Sequence, residues 1–308
     1  MTLHFVHVPA SELAPYGDGL RALERDIEYP VADGADAFRI DHGASYERFF
    51  SSMGDAHFIL ALEGSRVVGT VAGILREGLL RGRATPVLYA ADMKVAATHR
   101  GSGLSRKMLM FAMRSMFREP NAFAWRYAYV AAMRGAKGDV TRTVRGVHPG
   151  KLVRAAAELA LYFTPPEQLA ALDTRGAPDP PRLENGIDLS ASQPADLLQG
   201  PGLLSTAGRK DLRLRSTGGA PWPLVHLPYG PARAPSGWPH YLKACGEAMR
   251  ASGTLGPACF GVDVRLRDHV SWLARSGVEA GAVCTVYALS VTFRTRGAQW
   301  LHLATSEI

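Results

Sequence analysis

The chain has few cysteines and no long apolar segment. Its 308 residues include only three cysteines, Cys245, Cys259 and Cys284, all in the last quarter. Their odd number and wide spacing match neither a disulfide framework nor a zinc site, so no metal centre is predicted. No apolar run reaches ~18 residues, and no basic segment followed by an apolar one opens the chain. We therefore expect a cytoplasmic protein with reduced thiols in its core, no membrane association and no secretory signal.

Negative charge is scarce in one region. The net charge is +7 with a pI near 9.5, and residues 100–154 contain twelve Lys or Arg residues against only Glu119 and Asp139. A patch of this kind favours a polyanionic partner, either a phosphorylated cofactor or a nucleic acid such as tRNA. A solvated basic surface is the alternative interpretation.

Hydrophobic periodicity and turn signals divide the chain into alternating strands and helices. Strands are predicted at residues 4–8, 57–63, 66–75, 86–95 and 125–133, the second and third joined by a turn at Gly64-Ser65. Helices are predicted at residues 11–28 and 102–117, with a short aromatic helix at 46–50. Residues 151–163 are ambiguous between strand and helix. Prolines 165, 166, 178, 180 and 181 indicate a linker, which gives domains at 1–164 and 186–308 separated by 165–185.

One segment combines a strand, a glycine turn and the start of a helix. Strand 86–95 leads into Arg100-Gly101-Ser102-Gly103-Leu104-Ser105 at the head of helix 102–117. The glycines allow close approach of backbone N–H groups, and the helix directs its positive end and its free N–H groups to the same point. This arrangement predicts a site for a diphosphate or another anion.

The glycine segment resembles the cofactor signature of the GNAT acyltransferases, (Arg/Gln)-x-x-Gly-x-(Gly/Ala). Arg100 and Gly103 match the signature, and Ser105 stands where glycine or alanine is usual. The resemblance implies an α+β fold with a mixed sheet, and acetyl-CoA or another acyl-CoA as the donor. It places the thioester and pantetheine arm against the backbone of Met93, Lys94 and Val95. It places the phosphates on the segment Arg100, Gly101, Ser102, Gly103, Leu104, Ser105 and Arg106.

The second half repeats the element order of a GNAT C-terminal region. Predicted strands at 211–215 and 224–227, a helix at 239–252, a strand at 258–264, a helix at 268–276 and a final strand pair at 284–293 and 300–304 follow that order. The resemblance therefore implies a tandem protein with a degenerate second copy. Its counterpart of the cofactor loop contains Pro228, Pro231 and Pro235, which remove N–H donors, so we do not expect it to bind a diphosphate.

The candidate catalytic groups lie on the central strands. Asp92 and Tyr89 are the candidate bases on the strand before the glycine turn, and burial would have to raise the pKa of Asp92. A water relay would make a single base unnecessary. In the family, a tyrosine four residues before a glycine in the fourth helix is the general acid. Counted from Gly146, that position holds Arg142.

The missing tyrosine leaves the general acid open. The corresponding position of the second copy holds Leu273, so Tyr129, Tyr127 or His148 would replace the family's tyrosine, or the thiolate would leave unaided. The resemblance places the acceptor near the first two helices, where acidic side chains could hold a cationic amine. Those side chains are Glu24, Asp26 and Glu28.

The leading hypothesis is an acyl-CoA-dependent N-acyltransferase that modifies an amine of a small molecule or peptide. An aminoacyl-tRNA-dependent transferase is the first alternative, favoured by the basic patch and disfavoured by the intact diphosphate loop. A non-catalytic CoA-binding protein is the second, because the missing tyrosine is compatible with lost catalysis.

Overall fold

The computed structural model describes residues 3–31, 36–116, 124–135, 138–139, 153–191, 198–291, 295 and 297–308. Its strands are β1 (Leu3–Pro9), β2 (Tyr29–Val31), β3 (Asp36–Asp41), β4 (Asp55–Glu63), β5 (Arg66–Leu80), β6 (Arg83–Val95), β7 (Tyr127–Gly135), β8 (Gly138–Asp139), β9 (Arg154–Thr164), β10 (Gly186–Asp188), β11 (Leu198–Gln199), β12 (Leu203–Leu204), β13 (Asp211–Leu214), β14 (Val225–His226), β15 (Ala258–Asp263), β16 (Ala280–Ser290) and β17 (Trp300–His302). Its α-helices are α1 (Gly17–Arg25), α2 (Glu47–Ser51), α3 (Leu104–Met116), α4 (Pro166–Ala170), α5 (Trp238–Ala251) and α6 (Arg267–Arg275).

One long mixed sheet runs through both halves of the chain in the order β1-β4-β5-β6-β7-β16-β9-β15-β14-β12-β11. Strands β1, β4, β5 and β6 are antiparallel neighbours, and the turn at Gly64-Ser65 joins β4 to β5 as predicted. Strands β6 and β7 are parallel, with α3 between them in the chain. Strands β14 and β15 are likewise parallel, with α5 between them.

The two halves exchange strands at the middle of the sheet. Strand β16, from the second half, lies between β7 and β9 of the first half and pairs antiparallel with both. Strand β9, from the first half, lies in turn between β16 and β15 of the second. Each half therefore has the same order: a parallel pair linked by a helix, then a strand contributed by the other half, then its own last strand. This internal repeat agrees with the predicted tandem arrangement.

Further contacts connect the halves outside the middle of the sheet. Strand β13 pairs with β3 and completes a small three-stranded sheet with β2. Strand β10 pairs with the far end of β5 and runs parallel to β17. The prediction that β16 and β17 pair with each other is therefore wrong, because each finds its partner in another part of the chain.

Other boundaries also differ from the predictions. The expected helix at 11–28 begins with two short 3₁₀ turns, Ala10–Glu12 and Ala14–Tyr16, and the α-helix starts only at Gly17. Pro15 lies in the second turn and has no N–H to continue a helix. The ambiguous segment at 151–163 forms strand β9 over its described part. The fourth helix expected around residues 134–146 is wrong over its described part, because Arg134 and Gly135 end β7 and pair antiparallel with Gly138 and Asp139 of β8. The rest of that segment lies outside the described residues.

The helices cover both faces of the first-half sheet. A side chain at Gly69 of β5 would meet Met108 of α3, so this face of the sheet packs on α3. Gly69 pairs with Val95, and the preceding residue Lys94 points to the opposite face, where it contacts residues of α1 and the start of α2. Helices α1 and α2 therefore lie on one face and α3 on the other.

The core contains the three cysteines. All three thiols are free and buried, which confirms that they are core residues, and burial raises the pKa values of Cys245 and Cys259 to about 12. Among the described residues, no helix has the length and apolar character needed to cross a membrane.

Candidate active site

Strands β6 and β7 separate in the centre of the sheet. Their parallel pairing runs from Val87 opposite Tyr127 to Tyr89 opposite Tyr129, and β6 then continues to Val95 without pairing to β7. The rings of Tyr89 and Tyr129 stack at this point, with centroids 4.8 Å apart and planes 7° from parallel. Beyond the stacked pair, the edge of β6 that faces β7 has no strand partner in the described chain.

A β-bulge lies in the unpaired part of β6. Thr70 pairs with Lys94 and Ala72 pairs with Ala91, so Asp92 and Met93 together oppose a single residue of β5. Asp92 has a φ of 54°, which is in the left-handed region. Such a conformation costs an aspartate about 1–3 kcal/mol and typically persists where the surrounding contacts enforce it. The bulge redirects the backbone at the predicted thioester position.

The glycine loop follows directly. Gly101 and Gly103 have φ values of 81° and 75°, and no heavy atom lies within 4 Å of a Cβ placed on either. The first i→i−4 bond at the start of α3 runs from Lys107 N to Gly103 O, at 3.1 Å. Among the described residues, no acceptor pairs with the N–H groups of Leu104, Ser105 or Arg106. These amides and the open space beside the glycines form a suitable site for an anion.

Part of the predicted cofactor segment is engaged within the protein. The N–H groups of Arg100 and Ser102 donate to Ala97 O and His99 O at 3.3 and 3.4 Å. The Arg100 side chain also donates from Nε to Val95 O at 3.3 Å. Its remaining guanidinium donors stay exposed, as do the side chains of Arg106 and Lys107.

Lys94 is the centre of a buried polar cluster that the sequence did not indicate. Its ammonium donates to Glu24 Oε1 at 2.6 Å, to Tyr46 OH at 3.0 Å, and to Asp92 Oδ1. Tyr46 OH donates to the other carboxylate oxygen of Asp92, and Glu24 also contacts His42 Nδ1 at 2.7 Å. The prediction used only the backbone of Lys94, but its side chain connects strand β6 to α1 and α2.

The charges in this cluster stabilise one another. Burial lowers the pKa of Lys94, but the carboxylates of Asp92 and Glu24, together with neighbouring phenols, raise it well above its usual value. Burial raises the pKa of Glu24, yet its contacts with His42 and Lys94 bring it down to about 2. Ligand atoms of Glu24, His42 and Asp92 lie within 4.8 Å of one another, a spacing that could suit a metal ion. The Lys94 ammonium already bonds to both carboxylates and supplies the cation there.

The three predicted catalytic residues lie in different environments. Both oxygens of Asp92 accept hydrogen bonds, from Lys94 and Tyr46. The Tyr89 hydroxyl donates to the main-chain oxygen of Glu307, so it does not face the glycine loop as a free group. Burial raises the pKa values of Tyr89 and Tyr129 well above the usual tyrosine range. Asp92 alone of the three lies at the bulge.

Other expected acids and bases are differently placed. Tyr127 is buried, which raises its pKa above the usual range, while Arg142 and His148 lie outside the described residues. Leu273 is buried among the apolar residues of α5, α6 and β15. Much of the basic segment at 100–154 also lies outside the described residues. Tyr29, which the sequence did not single out, lies near the cluster: burial raises its pKa to about 12, with smaller effects from Lys94, Asp92, Glu24 and Arg100.

A cavity of about 710 Å³ opens on the α1 side of the sheet. Its wall comes from α1, from β3 and the following loop, and from β13 with its following turn. The lining residues are Arg21, Glu24, Arg25, Glu28, Ala37, Arg39, Ile40, Asp41, Gly43, Ala44, Arg213, Leu214, Arg215, Gly218 and Gly219. Glu24 both lines the cavity and bonds to Lys94, so its side chain lies between this space and the buried polar cluster around Lys94.

Comparison with known proteins agrees with this architecture. Residues 23–138 match the family model of the acetyltransferase (GNAT) domain. The fold is similar to N-myristoyltransferase of Saccharomyces cerevisiae with bound myristoyl-CoA, with a TM-score of 0.55 and 12% identity over 94% of this chain and 79% of that chain. It is also similar to a putative acetyltransferase from Pyrococcus horikoshii, with a TM-score of 0.50 and 10% identity over 99% and 95% of the two chains. No curated protein matches the chain in sequence. The predicted resemblance and the predicted α+β fold are confirmed.

Proposed function

Since residues 23–138 match the family model of the acetyltransferase (GNAT) domain, we propose that this protein transfers the acyl group of acetyl-CoA or another acyl-CoA to an amine of a small molecule or peptide. The observation that carries the proposal is the continuity of three features along one strand. Strand β6 leaves its parallel neighbour after Tyr89, bulges at Asp92 and Met93, and ends in the glycine loop at the start of α3. In an acyl-CoA, an extended arm joins the thioester to the diphosphate. The bulge of β6 and the glycine loop offer polar backbone groups for these two ends.

Acyl transfer to an amine requires orientation, charge stabilisation and removal of one proton. The amine nitrogen attacks the thioester carbonyl carbon, the carbon–sulfur bond breaks, and the sulfur leaves with the electron pair as a thiolate. The backbone at Met93 is the proposed donor to the developing oxyanion, because the bulge frees it from regular pairing. Asp92 is the proposed acceptor of the amine proton, and the hydrogen bonds from Lys94 and Tyr46 fix its orientation. Holding both substrates in one complex supplies much of the rate.

The cofactor assignment is tested by titrating the full chain with CoA, acetyl-CoA and myristoyl-CoA in a calorimeter. Myristoyl-CoA belongs in the series because the similar yeast enzyme binds it. Gly103→Trp should abolish the response, because the indole would fill the open space beside the loop. Gly253→Trp is the matched control, since Gly253 also has a positive φ of 67° and free space around its Cβ position. Both variants carry a similar backbone cost of about 1–2 kcal/mol.

The titration has two informative outcomes. Binding that Gly103→Trp removes and Gly253→Trp preserves supports the loop assignment. Absence of heat with every one of the three ligands, in a folded wild-type protein, would contradict the proposal.

The alternative functions give different results. A non-catalytic CoA-binding protein would bind the ligand but release no free thiol from acetyl-CoA in the presence of pooled amines. An aminoacyl-tRNA-dependent transferase would retain tRNA in a gel, with an affinity that falls steeply as salt rises. Release of thiol that depends on an added amine favours the acyltransferase.

A further inference from the structure

The cavity beside α1 is rich in cations. Five arginines line it, against the three acids Glu24, Glu28 and Asp41. Three of the arginines come from the first half of the chain, and Arg213 and Arg215 come from the second. An excess of guanidinium groups around a concave space concentrates anions there.

Each acid of the wall already has a cationic partner. Glu28 Oε1 accepts from Arg39 at 2.6 Å, and Asp41 Oδ2 accepts from Arg213 at 2.8 Å. Glu24 bonds to Lys94 and His42 behind the wall. From the sequence, we expect acids in this region to hold a cationic amine. Glu28 is engaged by Arg39, so Glu24 is the better candidate, because it lines the cavity and is linked through Lys94 to Asp92.

The arginines retain donors for a ligand. The side chain of Arg25 is exposed and forms no ion pair or hydrogen bond with any described residue. Arg215 Nε lies 4.0 Å from Asp36 Oδ1, whereas the Arg21 guanidinium is engaged by Asp18 and by Ala44 O. Since a guanidinium carries five N–H donors, Arg39 and Arg213 also keep donors after their internal contacts.

The cavity is separate from the diphosphate loop. Glu24 belongs to α1, which packs on the face of the sheet opposite α3, whereas the loop amides lie at the N-terminus of α3. The arginines of the cavity are therefore not part of the diphosphate loop, and hydrogen bonds from Lys94 connect Glu24 to Asp92 at the bulge.

We infer that the acceptor is an amine that also carries an anionic group, a carboxylate or a phosphate, bound by the arginines of this cavity. The role of this amine as the acyl acceptor rests on the proposed function. The preference of the cavity for anionic amines does not depend on acyl transfer. The anion contacts Arg25 and its neighbours, and the amine end points toward Glu24, which lines the cavity and bonds to Lys94.

The test compares amines that differ only in the anionic group. Glycine and glycinamide form one pair, and phosphoethanolamine and ethanolamine form the other, each titrated calorimetrically into the full chain with and without CoA. The remaining amino acids and their amides extend the first pair. We expect an anionic member to bind about tenfold more tightly than its neutral partner.

Arg25→Gln should reduce that preference about fivefold, and added salt should reduce it further, because the site is partly exposed. Arg275→Gln is the matched control: Arg275 also ends a nine-residue helix, is exposed, and lies outside the cavity. The glycine pair measures the preference for a carboxylate, and the phosphoethanolamine pair measures the preference for a phosphate. The two anionic groups are thereby distinguished.

Equal binding of every anionic amine and its neutral partner, or an equal effect of the two arginine substitutions, would overturn the inference. These measurements need no acyl-CoA chemistry. A preference for anionic amines in a protein that binds no CoA would refute the proposed function alone, and amine-dependent thiol release with no such preference would refute the cavity assignment alone.

Discussion

Two lysines near the candidate active site allow a direct test of the polar cluster. Lys94 is buried and bonds to two carboxylates, Asp92 and Glu24. Lys210 is partly buried and donates instead to main-chain oxygens, to Ile308 O at 2.6 Å and Ser306 O at 3.2 Å. Replacing each by methionine retains a similar chain length and removes one ammonium. The two substitutions therefore separate the loss of a charge partner from the loss of a long side chain.

The expected costs differ because the environments differ. Lys94→Met leaves two carboxylates buried beside each other without a cation, which should lower the free energy of unfolding by about 3–5 kcal/mol. Lys210→Met removes a charge that folding disfavours, since burial lowers the pKa of Lys210 to about 8. It also leaves two main-chain oxygens without this donor, so we expect a net change below about 2 kcal/mol.

Urea unfolding at neutral pH, followed by tryptophan fluorescence and circular dichroism, measures both values. A Lys94→Met variant that loses no more stability than Lys210→Met would refute the reasoning. In that case the cluster would not stabilise the fold through its charges. Combining Lys94→Met with Glu24→Gln should restore part of the loss, because one of the uncompensated carboxylates is then removed.

The pH dependence supplies an independent check of the same cluster. The folded state lowers the pKa of Glu24 from its ordinary value to about 2. Its contribution to stability is therefore complete above pH ~4.5 and disappears as the pH falls toward 2, for a total of about 3 kcal/mol. The Lys94→Met variant should show a smaller loss over this range, since Lys94 contributes to the lowered pKa.

Two further predictions concern the strand exchange and the bulge. A chain truncated after Thr164 lacks β16, so β7 and β9 lose the strand that lies between them. We expect this fragment to show no cooperative unfolding transition by circular dichroism, and a well-folded fragment would contradict this. Asp92→Asn should keep the left-handed conformation of the bulge and the affinity for CoA. It should lower kcat about 10²–10⁴-fold in a thiol-release assay, and an unchanged kcat would exclude Asp92 as the base.

The local features of the first half were predictable because their signals are local. The alternating runs around Gly64-Ser65 specify a hairpin within a few residues, and the glycines at 101 and 103 specify positive φ at the start of a helix. The resemblance to a known family rests on the same short segment. The sequence therefore placed the loop, the strand before it and the helix after it to within a few residues.

The strand exchange was not predictable because strand pairing depends on distant partners. β16 and β17 are adjacent in sequence and both apolar, which favours pairing with each other, but β16 instead fills the gap between β7 and β9. A strand's pattern shows that both of its faces are buried, and it does not show which neighbours bury them.

The buried polar cluster around Lys94 was not predicted for a similar reason, because its members are far apart in the sequence. Lys94 and Glu24 are 70 residues apart, and Lys94 and Tyr46 are 48 apart. A signal was nevertheless present: Lys94 interrupts an apolar strand, and Glu24 follows Leu20 and Leu23 on the buried side of α1. A charged residue in an apolar stripe predicts a buried partner of opposite charge, and pairing the two would have indicated the contact.

The second half has a direct part in the site of the first. It supplies Arg213 and Arg215 to the cavity, Lys210 to the neighbourhood of Asp92, and β16 to the sheet between β7 and β9. Its own helix start at α5 follows three prolines within eight residues, which limits the N–H groups available to a diphosphate. We infer that the second half contributes to the proposed acceptor cavity through β13, although the loop before α5 offers few N–H groups to a diphosphate. On this view, substitutions on β13 should alter acceptor affinity while leaving CoA affinity unchanged, although β13 lies outside the first predicted domain.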